Sequence, residues 1–116
     1  HYSVKDHALD ILEQGDTSAH LRECIYEIET GPDFEVSFVI ILTSVLARSM
    51  WRYRESRTYR VILHDIGHLI ETLKLGCISE GLYTYFGHGF DDKSLESLLG
   101  INGLKEPAFK FAAIGR

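Results

Sequence analysis

The chain has 116 residues, 45% of them hydrophobic, and its 17 acidic and 12 basic residues give a net charge of -5. This length predicts one continuous domain with an ordinary hydrophobic core. The acidic balance disfavours nucleic acid as a partner, because such binding relies on Lys and Arg, and the longest apolar run, residues 36–47, is shorter than the roughly 20 residues that cross a membrane.

The spacing of the two cysteines indicates in which cellular compartment the protein is located. Cys24 and Cys77 are far apart in the sequence and form no CxxC motif. This usage predicts free thiols and a cytoplasmic location.

The first half of the chain predicts a helix followed by a strand. Residues 14–16 are typical of a turn, Thr17 or Ser18 is the expected helix cap, and Gly31-Pro32 is the expected end of the helix. Residues 36–47 are rich in β-branched side chains and apolar at both odd and even positions. This pattern predicts a central strand that is buried on both faces.

The second half predicts four further elements. Apolar residues at intervals of three and four indicate helices, and alternating or apolar runs indicate strands. The elements are a long helix from about Arg57 to Glu80, a strand at 82–86, a short helix capped by Asp91 or Asp92 and ended by Gly100, and a final strand at 108–114. This order predicts a layered sheet of the α/β or α+β class.

A basic segment precedes the long helix. Residues 48–60 contain five of the twelve basic residues of this acidic chain, namely Arg48, Arg52, Arg54, Arg57 and Arg60. One interpretation is that these side chains are solvated or paired with acids from elsewhere in the chain. The other is a site for a phosphate, a carboxylate or an acidic peptide, with Tyr53 exchanging a proton. If the long helix already includes Tyr53, then Tyr53, Arg57 and Arg60 share one of its faces.

Two histidines suggest a second kind of site. His64 and His68 are four residues apart on the long helix, a spacing that zinc sites use, but Asp65 stands where metalloproteases have Glu. A zinc hydrolase is therefore the less favoured alternative, and no metal ligand is predicted. The structural interpretation is that Gly67 permits a close approach of another element and that His68 makes a buried hydrogen bond.

A glycine-punctuated loop follows the strand at 82–86. Gly87-His88-Gly89 is flanked by aromatic residues, and its backbone amides could approach a flat or anionic ligand. The spacing is not that of a P-loop or a dinucleotide fingerprint.

Taken in order, these motifs resemble the SagB-type, McbC-like dehydrogenases of the nitroreductase superfamily. The matching segments are WRYRESRTYR at 51–60, VILHDIGH at 61–68, EGL at 80–82, GFDD at 89–92 and IG at 114–115. The resemblance implies an α+β, nitroreductase-like fold, in which helices flank a β-sheet and one helix is long and central. It identifies residues 1–116 as the C-terminal part of such a domain.

The resemblance also implies a function. Members of this group are FMN-dependent oxidoreductases that dehydrogenate azolines, or similar C–N bonds in peptide-derived substrates, to thiazoles and oxazoles. They usually form homodimers with FMN at the subunit interface and work with a cyclodehydratase or within a peptide synthetase complex. A non-catalytic homologue that serves dimerisation or complex assembly is the alternative.

Five residues acquire expected roles from the resemblance. The family's catalytic Lys-Tyr pair falls on Arg52 and Tyr53, and Arg cannot act as an ordinary base. His88 and Gly89 correspond to the loop that lies against the flavin ring, and Arg116 to a residue that binds the flavin phosphate. The phosphate motif Arg-Ser-x-Arg of the family's N-terminal part does not occur in this chain.

Overall fold

The structure, a computed structural model, describes residues 1–116 and contains two small sheets and four α-helices. The strands are β1 (Tyr2–Ser3), β2 (Ala8–Leu9), β3 (Val36–Thr43), β4 (Tyr83–Gly87) and β5 (Ala108–Gly115). The helices are α1 (Ser18–Cys24), α2 (Leu46–Arg52), α3 (Thr58–Ser79) and α4 (Asp92–Leu99), with a 3-10 turn at Tyr26–Ile28. The predicted α+β class, with helices around a sheet and one long helix, is confirmed.

Strand β5 is the middle of the main sheet. It pairs antiparallel with β3 on one side and with β4 on the other. Its residues Phe111 to Ile114 are fully buried, and their side chains alternate between the two faces of the sheet. The two alanines in this run leave room for helices to pack closely on both faces.

The core consists of one apolar cluster on each face of the sheet. Phe111 and Ala113 pack with residues of α1 and α4, including Leu95. Ala112 and Ile114 pack with Cys77 near the end of α3. The sheet is therefore a middle layer between α1 and α4 on one side and α3 on the other.

The prediction of a central strand at residues 36–47 is wrong in two respects. The strand ends at Thr43, and residues from Leu46 onward begin α2. It also lies at an edge of the three-stranded sheet, where most of its residues are only half-buried. A β-branched run identifies a strand, but the partners that pair with it decide whether it is central.

Local signals located α4 correctly. The Asp91 carboxylate accepts a hydrogen bond from the backbone N–H of Ser94 at 2.8 Å. Hydrogen bonds from the side chain and backbone of Ser94 lower the pKa of Asp91 below its usual value. Gly100 ends the helix with a φ of 66°, a left-handed conformation that favours glycine.

The first helix is shorter than expected. It ends at Cys24, and a separate 3-10 turn continues to Ile28. Thr17 occupies the N-cap position without a side-chain hydrogen bond, and the Asp16 carboxylate instead accepts from the Ser18 N–H at 2.9 Å. None of the helices has the length and hydrophobicity that crossing a bilayer requires.

Candidate active site

Two of the predicted site segments leave the main sheet at the same end. Strands β3 and β4 are both antiparallel to β5, so their C-terminal ends lie together. The chain continues from β3 into α2, which ends at Arg52, and from β4 into His88 and Gly89. Arg116 follows the opposite end of β5, about 17 Å along the strand from the position paired with Gly87. Within this chain, Arg116 lies apart from both segments, and the cavity that Arg52 and Tyr53 line includes neither His88 nor Gly89.

Arg52 and Tyr53 line one cavity of about 280 Å³, which we call the Tyr53 cavity. Tyr53 leaves the helix with an extended backbone (φ -114°, ψ 94°), and its N–H donates to the Ser49 carbonyl at 3.1 Å. The helix α3 begins only at Thr58, so the predicted shared helical face of Tyr53, Arg57 and Arg60 does not exist. Because α2 ends at Arg52, Tyr53 instead lines the same cavity as the loop residues Arg54, Glu55 and Arg57.

Thr58 holds the loop that carries Tyr53. Its hydroxyl oxygen lies 2.6 Å from the Tyr53 carbonyl oxygen and 2.7 Å from the Glu55 carbonyl oxygen, and the residue is buried. No motif in the sequence predicted a role for Thr58. The available signal was a threonine at the start of a helix, where such hydroxyls bond to the backbone.

The arginines of residues 48–60 have no acidic partners in this chain. None of the five takes part in an ion pair, and all are exposed. Arg60 lies 5.9 Å from the centre of the Tyr59 ring, with its Nε 3.3 Å from the Tyr59 hydroxyl. Pairing with acids elsewhere in the chain is therefore wrong, whereas the exposure of all five side chains agrees with the other part of that interpretation, solvation.

The loop after β4 presents two free backbone donors. The N–H groups of His88 and Gly89 donate no hydrogen bond within the chain. His88 is exposed and Gly89 is half-buried. Free amides in a loop with little side-chain bulk are suited to a ligand with hydrogen-bond acceptors, as the ring of a flavin has. These residues therefore fit the predicted cofactor.

A carboxylate that the sequence analysis missed supports this loop. A Cβ at Gly87 would overlap the Phe111 ring as well as the Glu27 side chain, so this position requires glycine for space, whereas a Cβ at Gly89 would displace only the Glu27 side chain. The Tyr85 hydroxyl donates to Glu27 Oε2 at 3.2 Å. Desolvation raises the pKa of Tyr85, and the hydrogen bond and charge of Glu27 raise it further, so the hydroxyl keeps its proton at neutral pH.

The packing of Glu27 against Gly89 gives a testable expectation. Gly89→Ala should lower the free energy of unfolding by about 1 kcal/mol, because the new methyl group displaces the Glu27 side chain from its contact with the loop. Adding Glu27→Ala should recover part of that loss, since it removes the overlapping atoms. Urea unfolding of the two single variants and the double variant measures this coupling.

Gly76→Ala is the matched control, because nothing lies within 4 Å of a Cβ at this position in α3. It should leave stability unchanged or raise it by up to about 1 kcal/mol. Strictly additive effects of Gly89→Ala and Glu27→Ala would contradict the proposed contact.

The histidine pair on α3 gains no further ligand. His64 and His68 are exposed, and no group of three His, Cys, Asp or Glu residues could hold a metal ion. The expected burial of His68 is wrong, and so is the close approach at Gly67, where nothing lies within 4 Å of a Cβ. The geometry gives the zinc hydrolase alternative no support.

The thiols also offer no reactive centre. Cys24 and Cys77 are both buried and free. Burial raises the pKa of the Cys24 thiol, and the charges of Glu23 and Asp91 raise it further. Because the thiolate is the nucleophilic form, Cys24 is poorly suited to covalent catalysis.

Comparison with known proteins places these features in a family. The chain is 32% identical over its whole length to the trifolitoxin-processing protein TfxB of Rhizobium leguminosarum bv. trifolii, and it spans 31% of that protein. A crystal structure from Anabaena variabilis, assigned to the nitroreductases, superposes on 97% of the chain with a TM-score of 0.83 and 30% identity, over 23% of its own length.

The Escherichia coli microcin synthetase McbBCD complex, solved with truncated pro-MccB17 bound, contains a similar fold. It matches the whole chain with a TM-score of 0.82 at 18% identity, and the chain spans 43% of the matched subunit. These likenesses agree with the SagB-type, McbC-like resemblance predicted from the motifs, which is confirmed. Residues 1–116 match the nitroreductase family throughout, and the chain belongs to that family.

Proposed function

We propose that this chain forms part of an FMN-dependent oxidoreductase that dehydrogenates azoline or similar C–N bonds in peptide-derived substrates. The observation that carries the proposal is the Tyr53 cavity, which follows a strand that ends at the same end of the sheet as the strand leading to the free amides of His88 and Gly89. Membership of the nitroreductase family supports an oxidoreductase activity.

Two relatives support a peptide as substrate. TfxB is named for the processing of trifolitoxin, and the McbBCD complex was solved with a truncated pro-peptide. The chain spans only 31% of TfxB and 43% of the matched McbBCD subunit. The proposal therefore concerns a longer protein, of which residues 1–116 are the C-terminal part of the nitroreductase-like domain, acting with a cyclodehydratase or in a peptide synthetase complex.

Each candidate residue of this chain has a proposed role in binding the cofactor or in the reaction. When bound, FMN supplies the acceptor for a hydride from the substrate. The amides of His88 and Gly89 would hold the flavin ring, and Arg116, at the other end of the sheet, could contact only a remote part such as the phosphate. The Tyr53 hydroxyl would accept or donate the substrate proton. Arg52 cannot remove a proton, but its guanidinium would stabilise negative charge that develops beside Tyr53.

The chain exposes more surface than an isolated monomer of its size, and the rest of the longer protein and a second subunit would each cover part of it. The accessible area is 8708 Å², whereas a monomer of 13.2 kDa is expected to expose about 6,400 Å². Much of the apolar part lies on α3, where Leu63, Leu69, Leu75 and Ile78 are each at least half exposed. Apolar residues concentrated on one helix are typical of an interface. The rest of the longer protein would cover some of these residues, and we propose, as the family resemblance implies, that a second subunit covers others.

The cysteines support a cytoplasmic location. Both thiols are free, and reducing compartments keep thiols in this state. We propose the cytoplasm on this ground.

The visible spectrum of the purified full-length protein tests the flavin assignment. We expect flavin absorbance in the protein as isolated, or after addition of FMN and removal of the excess. Full-length protein with Gly89→Ala should retain less flavin than protein with Gly76→Ala, because only the former disturbs the loop. A protein that holds no flavin even after FMN is added would contradict the proposed function.

Arg52 favours a second candidate, a non-catalytic homologue that serves dimerisation or complex assembly. The family's Lys is absent at this position, and arginine is not an ordinary base. Such a protein would assemble with its partners but would not turn over azoline peptides.

A further inference from the structure

We infer that the Tyr53 cavity binds an acidic side chain of the substrate peptide through Arg54 and Arg57. The inference rests on the proposed function, because it specifies which peptides that site accepts. It concerns two residues that have no other role in the site.

The charge distribution provides the first argument. The chain has a net charge of -5, yet all five arginines of residues 48–60 lack an acidic partner. Of the seven basic residues elsewhere, only Arg22 and Lys74 lie near an acid, 3.8 Å from Glu29 and 4.0 Å from Glu71, so this segment differs from the rest of the chain by the clustering of its unpaired arginines. Like charges repel, so a cluster of unpaired arginines is stabilised by an anionic partner.

The cavity provides the second argument. Arg54 and Arg57 line it together with Arg52 and Tyr53, and its volume is about 280 Å³. A water occupies about 30 Å³ in the liquid, so a carboxylate side chain fits with several waters. Glu55 also lines the cavity, but it forms no ion pair with these arginines. A net positive cavity beside Tyr53 therefore remains available to an anion.

The fixed loop provides the third argument. The Thr58 hydroxyl shares its one proton between the carbonyls of Tyr53 and Glu55, and its backbone N–H also donates to Glu55, which holds the backbone from which both arginines extend. Guanidinium groups bind carboxylates in a planar, two-pronged arrangement. An acidic residue bound here would place a neighbouring part of the same peptide close to the Tyr53 hydroxyl. The arginines would then select the substrate and also position it.

Binding of two matched peptides to the full-length protein tests the inference. The probes are short dye-labelled peptides of one sequence that carry either Glu or Gln at the same positions, and fluorescence anisotropy measures their Kd. We expect the Glu peptide to bind about tenfold more tightly at low salt, with a smaller difference at high salt, because partly exposed charge pairs are screened.

Variants of residues 48–60 show which arginines cause the preference for the Glu peptide. Arg54→Gln/Arg57→Gln should bind both peptides equally, with an unchanged melting temperature, because both side chains are exposed. Arg60→Gln is the matched control, since Arg60 belongs to the same segment but contacts Tyr59 and does not line the cavity. It should keep the preference for Glu.

Two results would overturn the inference. One is equal binding of the two peptides by the unaltered protein. The other is a double variant that loses FMN, measured by its spectrum, but keeps the preference for Glu, because the cavity would then serve the cofactor phosphate. Since binding is measured without turnover, an active flavoprotein indifferent to peptide charge contradicts this inference alone. A protein that prefers Glu but holds no flavin contradicts the oxidoreductase proposal alone.

Discussion

Tyr53→Phe is expected to lower kcat by about 100-fold or more, since positioned acid–base groups contribute roughly 10²–10⁴ to a rate. The substitution removes only the hydroxyl. Tyr53 is about half exposed, so its loss leaves no buried partner unsatisfied. The Tyr53 carbonyl still accepts from Thr58, because the backbone is unchanged. Flavin content and melting temperature should therefore remain the same.

Tyr59→Phe is the matched control for this prediction. Tyr59 belongs to the same segment and is exposed to a similar degree, but its hydroxyl contacts Arg60 outside the cavity. Steady-state kinetics of both variants on an azoline peptide should show a large loss only for Tyr53→Phe. An unchanged kcat in Tyr53→Phe would show that the hydroxyl takes no part in the proton transfer.

Phe111→Ala is expected to lower the free energy of unfolding by about 3–5 kcal/mol. Phe111 is fully buried in the central strand, where it belongs to the cluster between the sheet and the helices α1 and α4. Its ring lies 6.2 Å from that of Tyr85 and also abuts Gly87. Truncation would leave a cavity between the sheet and the helices α1 and α4. The backbones of these two layers cannot move together to fill it.

Phe38→Ala provides the comparison, because Phe38 lies in the edge strand β3 and is 48% exposed. Its truncation should cost about 1 kcal/mol or less, as is usual for a partly exposed site. Urea unfolding of both variants measures the difference. If both variants lost the same free energy of unfolding, Phe111 would be no better buried than Phe38, and the described core would be wrong.

The long helix, the short helix and the last two strands could be predicted because their signals are local. Periodic apolar residues and Gly81 located α3 to within about one residue of its observed ends, Thr58 and Ser79. Asp91 and Gly100 defined both ends of α4, since a cap bonds to residues within one turn. The family resemblance rested on the same kind of evidence, a series of short motifs in a given order.

The candidate site was predictable only in part. Arg52 and Tyr53 are neighbours in sequence, as are His88 and Gly89, so each pair necessarily stays together. The role of Thr58 depends on the break between two helices, which the apolar pattern did not reveal. Glu27 is 58 residues from Tyr85, and no local pattern predicts that its carboxylate meets the tyrosine and two glycines.

The sequence by itself determined α1, α3, α4, the three strands of the main sheet, the excess of arginine at residues 48–60 and the family, but it did not predict α2, β1 or β2. Only the tertiary structure decided that β5 is central and β3 is an edge strand, and that Arg116 lies at the opposite end of β5 from His88. It also decided that the arginines of residues 48–60 lack partners. The physical reason is that pairing between strands, and between charges, joins groups far apart in the chain, whereas periodicity and capping depend on neighbours within a turn or two.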